Sequence, residues 1–193
     1  MTTYGSNKIG IGADNHNLYT KADRKRVKKT LKNIQQVFKL DLLTLPWLDI
    51  GNGESLMRQE MKKTYSSYCW VTAVNLDIDI FPYNDNTVNT ITSFCVLEHI
   101  FNPPFHLKEC YRILKPSGSL YLIVPNDYSL IYKVEHLLSR KYHPHFHQFT
   151  SHDLQIILTL AGFKIKTIKK CFRGSSGMVA RFSRNDFLVE AIK

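Results

Sequence analysis

No Cys-x-x-Cys pair occurs in this chain, and its four cysteines, Cys69, Cys95, Cys110 and Cys171, are scattered. That spacing argues against a disulfide framework or a structural zinc site, so reduced, buried thiols are expected. Long apolar runs are also missing. Nothing approaches the roughly twenty consecutive apolar residues of a membrane helix, and the polar start Met1-Thr2-Thr3-Tyr4-Gly5-Ser6-Asn7 carries no apolar signal region. A cytoplasmic protein is the expectation. Acidic residues are scarce: 16 Asp and Glu against 26 Lys and Arg leave a net charge of +10. Such an excess favours an anionic partner such as RNA, a phosphorylated carrier or a lipid surface, without choosing among them.

What is present suits one domain with a real core, since 193 residues are 44% hydrophobic. Residues 1–20 lack any apolar period and are expected to form a flexible arm. Residues 21–193 then form the domain. It starts with a basic amphipathic helix over 21–40, where Val27, Leu31, Ile34 and Phe38 share a face, with seven Lys and Arg between residues 21 and 32. Strands are expected at Leu45–Ile50, Tyr68–Leu76, Thr87–Phe94 and Leu120–Val124, the last a short aliphatic run suited to burial on both faces. Two further strands are expected at Phe163–Lys170 and Met178–Phe182. Helices are expected at Glu54–Thr64, from Asn102-Pro103 to before Pro116, near Tyr128–Leu138, and after a Thr150/Asp153 capping box closed by Gly162. Strands alternating with helices predict an α/β fold with a mostly parallel sheet and helices on both faces.

The chemistry concentrates where strand ends meet loops. Leu48-Asp49-Ile50-Gly51-Asn52-Gly53 is an apolar strand running into a Gly-x-Gly turn, the kind of place where an α/β sheet lets a cofactor approach its backbone. A dinucleotide turn would continue to a third glycine, but Leu56 stands there. Downstream come Phe81-Pro82-Tyr83, Val96-Leu97-Glu98-His99 and Tyr111-Arg112-Ile113-Leu114-Lys115-Pro116-Ser117-Gly118. In this order and spacing the set resembles class I S-adenosylmethionine-dependent methyltransferases, particularly the type 11/12 group. The resemblance covers about residues 45–170 and implies a Rossmann-like sheet, here shortened after the second strand because one helix and one strand of the common fold have no counterpart.

The resemblance also implies roles. Asp49, Gly51, Asn52 and Gly53 would lie along the methionine and ribose of the cofactor, with Asn75 where a ribose-gripping carboxylate is usual and Asp77 at the adenine amine. Asn52, Asn75, Asn89 and Ser117 depart from the family's usual residues. The implied reaction is transfer of a methyl group to a small-molecule acceptor, an oxygen in the first instance. His99 and His145 are the candidate proton acceptors, because imidazole titrates near neutral pH. Small-RNA 2′-O-methyltransferases carry a related Glu-His, and Glu98, His99 and His145 are similar to three of their metal ligands. Cys95 stands where a glutamate ligand would be, so no metal is expected. Two alternatives stay open: an RNA-directed methyltransferase or RNA-binding module, and a catalytically weakened methyltransferase-fold partner protein.

Overall fold

The computed structural model describes residues 24, 25, 28, 31, 32, 36, 46–51, 59–61, 63, 69–70, 75–126, 128, 145–172 and 185–193. Its centre is a six-stranded sheet of order β2-β1-β3-β4-β6-β5. The strands are β1 (Trp47–Asp49), β2 (Cys69–Trp70), β3 (Val88–Phe94), β4 (Leu114–Val124), β5 (Lys164–Phe172) and β6 (Asn185–Ile192). β2, β1, β3 and β4 run parallel, and β6 is antiparallel to both β4 and β5. This is an α/β, Rossmann-like sheet whose parallel part carries the turn motifs. Residues 75–87 form turns and loop without helix or strand, so the fold is short after the second strand, as the motif spacing implied.

Two helices pack on one another beside this sheet: α1 (Pro103–Ile113) and α2 (Ser151–Leu160). α1 starts where Asn102 Oδ1 accepts the Phe105 N–H at 3.3 Å and prolines fill the first turn, whose amides need no partner within the helix. α2 starts on a reciprocal box, with Thr150 Oγ1 accepting Asp153 N–H (3.1 Å) and Asp153 Oδ2 accepting Thr150 N–H (2.8 Å). Leu107, Cys110 and Ile113 of α1 and Leu154 and Leu158 of α2 are fully buried with Ile91, Leu120, Leu122 and Val189 of the sheet. This core fixes α1 between β3 and β4, which places the loops on either side of it.

Several boundaries differ from the sequence expectations. β4 starts at Leu114 rather than Leu120, because Lys115-Pro116-Ser117-Gly118 bulges within the strand instead of ending it: Val88 pairs with Leu114, but Thr90 already pairs with Ser119. Ser117 takes φ +65° in this bulge. The second strand pairs at Cys69–Trp70, while Asn75 and Leu76 lie in a turn. The last strand is Asn185–Ile192, which was not anticipated; the expected strand at 178–182 lies outside the described residues, as does most of the expected helix near 128–138. Phe187-Leu188-Val189 is buried from end to end, so it shows no alternation to betray a strand.

Of the expected basic helix, Arg24, Lys25, Lys28, Leu31, Lys32 and Gln36 are helical, and Leu31 is buried. Arg24 Nη1 and Lys28 Nζ lie 3.8 and 3.9 Å from the carboxylate of buried Glu60. Part of the positive charge is thus spent inside the molecule. Among the described residues no helix is long and apolar enough to cross a membrane.

Candidate functional site

Parallel strands end together, so the carboxyl ends of β1 and β3 bring distant sequence to one edge. At the end of β1, Asp49 is fully buried and its Oδ1 accepts the Thr92 hydroxyl of β3 at 2.6 Å. Thr92 Oγ1 in turn accepts the indole N–H of Trp47 at 3.1 Å. This seam ties β1 to β3 beneath the turn, and Ile50 N–H donates to Thr92 O at 2.8 Å to continue it. The chain then reaches Gly51, which adopts φ +87° and is itself exposed. A Cβ here would fall 2.5 Å from both methyls of Val96. Glycine is therefore required twice, by the left-handed backbone and by Val96 packing behind it. Asn52 and Gly53 lie outside the described residues.

The loop after the second strand contributes Asn75 and Asp77. Asn75 Oδ1 accepts Asp77 N–H at 3.0 Å, and Asn75 N–H donates to Asp79 Oδ2 at 2.6 Å, so the Asn75 side chain shapes its own turn. Asp77 is half-buried, and its Oδ1 accepts Asn102 N–H at 2.8 Å. That bond fastens the loop to the residue that caps α1. Asp77 is thus held against the protein, and the loop it anchors borders the same edge.

At the end of β3 the backbone turns sharply, with Cys95 at φ +55° and its N–H donating to Ile123 O at 2.8 Å. A single 3-10 turn, Leu97–His99, follows. Glu98 is buried, and its Oε1 lies 3.9 Å from Nε2 of the half-buried His99. The carbonyl of Glu98 accepts N–H groups from Phe146 (2.9 Å) and His147 (3.3 Å), which folds the histidine-rich loop back onto this turn. His145 consequently meets His99 edge to face, ring centroids 5.0 Å apart. One ligand atom each from Glu98, His99 and His145 lies within 4.8 Å of the others. Forty-five residues of sequence separate His99 from His145, and main-chain bonds close the gap.

Sequence reasoning missed three participants. Thr92, which anchors Asp49, hides in a strand that reads as apolar and β-branched. Phe101 and Phe146 stack at 3.9 Å beside the histidines while remaining 65% and 38% exposed, an apolar pair facing outward next to polar groups. An aromatic residue two positions after His99 and another immediately after His145 were the available signal. Chemically, the edge offers hydrogen-bond acceptors in Asp49, Asn75 and Asp77, the imidazoles of His99 and His145, and a side-chain-free turn at Gly51.

The chain is 33% identical over 89 residues to the ubiquinone/menaquinone biosynthesis C-methyltransferase UbiE of Ruegeria sp. (strain TM1040), a match covering 44% of this chain and 33% of that protein. The matched region thus spans about a third of that relative's length. The fold is shared with the partner of the Trm112 methyltransferase activator in a complex from Haloferax volcanii: TM-score 0.60, 16% identity, 89% of this chain and 95% of the other. It is shared also with an S-adenosylmethionine-dependent methyltransferase from Archaeoglobus fulgidus, with TM-score 0.59, 17% identity, and 86% and 94% of the two chains. Residues 20–168 match the family model described as a methyltransferase domain, which takes in the Gly51 turn, the Glu98-His99 turn, both helices and the histidine loop. Motif order, sheet order and family match agree, and the chain belongs to the methyltransferase-domain family.

Proposed function

We propose that this protein is an S-adenosylmethionine-dependent methyltransferase that moves a methyl group to an oxygen of a small-molecule acceptor in the cytoplasm. The observation that carries the reading is the convergence of Glu98, His99 and His145 within 4.8 Å on the sheet edge where Asp49, Gly51 and Asp77 sit. The residues present suit the cofactor. Its ammonium, ribose hydroxyls and adenine amine all donate hydrogen bonds, and Asp49, Asn75 and Asp77 are acceptors. Exposed Gly51 presents main chain rather than side chain at the turn, which is what the ribose and amino-acid portions need in order to approach; Asn52 and Gly53 extend it in this reading.

When bound, S-adenosylmethionine supplies an activated sulfonium methyl. The chain's own residues align the acceptor, exclude water and handle the proton. His99 and His145 are the groups that take a proton from an acceptor hydroxyl at an imidazole nitrogen, and Phe101 with Phe146 gives the acceptor an apolar wall. A carbon acceptor is the second reading, favoured by the identity with a relative named as a C-methyltransferase. The RNA-directed alternative has weaker support, because Arg24 and Lys28 of the basic segment are paired with Glu60.

The test is incubation of the full chain with methyl-labelled S-adenosylmethionine and a panel of phenols, hydroxylated quinols and sugars, with adenosylhomocysteine release followed by mass spectrometry. A methyl-ether carbon resonance in the product supports the oxygen reading, and a carbon-bound methyl supports the second. No adenosylhomocysteine above the protein-free control with any acceptor contradicts both. His145→Ala is expected to lower turnover about a hundredfold with cofactor affinity held within about threefold, the range for losing a proton-transfer group.

A further inference from the structure

We propose that Val96 is a positioning residue that links the Gly51 turn to the His99 turn, so that whatever seats on the first sets the placement of the imidazole on the second. The link is a property of this chain's packing and holds with nothing bound; its use in aligning cofactor with acceptor rests on the function proposed above.

Val96 reaches the two turns through different groups. Its side chain lies behind Gly51, so close that a Cβ on the glycine would stand 2.5 Å from both Val96 methyls. Its main chain opens the 3-10 turn Leu97–His99, and its carbonyl accepts the His99 N–H at 2.9 Å. A shift of the Gly51 main chain toward Val96 therefore meets that side chain at once, and a shift of Val96 carries His99 with it.

The surroundings are too tight to absorb such a movement. Val96 is 5% exposed, and branching at Cβ in a packed interior leaves few rotamers to escape into. One residue earlier, Cys95 sits at φ +55° and its N–H donates to Ile123 O at 2.8 Å, which pins the segment to β4. Across the contact, Thr92 holds the two residues before Gly51: its hydroxyl donates to Asp49 Oδ1 at 2.6 Å and its carbonyl accepts the Ile50 N–H at 2.8 Å. The Trp47 indole N–H donates to that hydroxyl at 3.1 Å, so the single Thr92 proton goes to Asp49. The β3 segment thus grips the Gly51 turn twice, with Thr92 on the residues leading into it and Val96 behind it.

This matters for methyl transfer because the reacting groups tolerate little misplacement: about 1 Å costs on the order of a hundredfold in rate. With one stiff side chain between the turns, a single contact sets both the cofactor's seat and the imidazole that receives the acceptor's proton. A smaller residue at position 96 keeps the seat and loses the alignment.

The test follows the His99 imidazole resonances by NMR in the full chain at fixed pH, identified by their loss in His99→Gln, with His152, exposed on α2, as internal control. With no ligand present, Gly51→Ala should displace the His99 signal by more than its line width and leave His152 in place. On a Val96→Ala background, where the new Cβ has room, adding Gly51→Ala should leave His99 within its line width. Val96→Ile loads the same contact from the other side without altering the glycine, and should displace the Gly51 amide and His99 together; it keeps the test readable if Gly51→Ala fails to fold. Saturating adenosylhomocysteine should then move the His99 signal in the parent, whereas Val96→Ala should still give a saturable calorimetric isotherm with that movement lost. His99 undisplaced by both Gly51→Ala and Val96→Ile, or displaced equally by Gly51→Ala on the two backgrounds, overturns the link. A ligand-induced shift that persists in Val96→Ala overturns its part in alignment. Failure of the parent to bind adenosylhomocysteine counts against methyl transfer, and the ligand-free spectra still decide the link.

Discussion

Arg112, at the amino ends of β3 and β4, donates five hydrogen bonds, whereas at the carboxyl end of β3 the Glu98 carboxyl and the His99 imidazole stand 3.9 Å apart. The Arg112 guanidinium reaches both Glu109 oxygens (2.9 and 2.8 Å), Asp85 (2.7 Å) and the carbonyls of Tyr83 and Phe81 (2.8 and 3.1 Å). These bonds hold the Glu109 carboxyl below the usual carboxylate range, the Arg112 side-chain bond being the main cause. Lys193 closes the same edge, its Nζ donating to Asn86 Oδ1 (2.8 Å) and Tyr111 O (2.7 Å) while lying 4.7 Å from the Tyr111 ring centroid. Each cation there meets acceptors at bonding distance, so nothing needs to enter. At the opposite edge Glu98, His99 and His145 each bring one ligand atom within 4.8 Å of the others. On the function proposed above, one end of the strands holds the fold and the other receives cofactor and acceptor.

The sharpest way to break this contrast is at Gly51. Gly51→Ala puts a Cβ onto Val96 and a side chain into a left-handed backbone. Adenosylhomocysteine affinity, read by calorimetry, should fall about a hundredfold or more, equal to about 2.7 kcal/mol; unchanged affinity means the turn does not shape the cofactor edge. Arg112→Ala attacks the other end. It leaves Glu109, 8% exposed, without its guanidinium, and urea unfolding should show a loss of about 3 kcal/mol. Adenosylhomocysteine affinity of the folded fraction should stay within about twofold; a parallel loss of affinity would erase the division of labour between the edges.

His106 sharpens the comparison through pH. It is fully buried on α1, with the Phe81 ring 5.7 Å away and Cys110 Sγ 3.7 Å from its Nε2, and burial lowers its pKa from 6.5 to about 4. The folded imidazole refuses a proton that the unfolded chain accepts between those values. Its contribution is therefore fully present above pH 6.5 and is lost as pH falls toward about 4, amounting to about 2 kcal/mol between pH 6.5 and 4.5. Urea titrations should show this slope in the parent and a flatter one in His106→Leu; equal slopes would assign the acid sensitivity elsewhere. The smallest effect is expected at Ser117, where φ +65° strains a side chain. Ser117→Gly should raise stability by about 0.5–1 kcal/mol, and no gain would mean that the bulge has already absorbed the strain.

Features set by neighbours in sequence were the legible ones. The Thr150/Asp153 box, the Asn102-Pro103 start of α1 and the left-handed Gly51 each depend on two to four adjacent residues, and each forms where local rules place it. β6 was not legible, because its apolar stretch Phe187-Leu188-Val189 is only three residues long between Asp186 and Glu190 and shows no alternation. The start of β4 misled for the opposite reason: Pro116 and Gly118 look like a terminator, yet pairing resumes beyond the bulge. Side-chain identities at the candidate site were legible, but their meeting was not. Thr92 reaches Asp49 across two parallel strands, and His145 reaches His99 only because Glu98's carbonyl captures the loop. Both contacts are products of topology rather than spacing.

The most direct measurement is a calorimetric titration of adenosylhomocysteine into the full parent chain, with Asp77→Ala titrated alongside it. Saturable binding at micromolar concentrations by the parent, weakened about tenfold by Asp77→Ala, is the result predicted for a carboxyl edge that receives a nucleoside. No heat at millimolar ligand would contradict it.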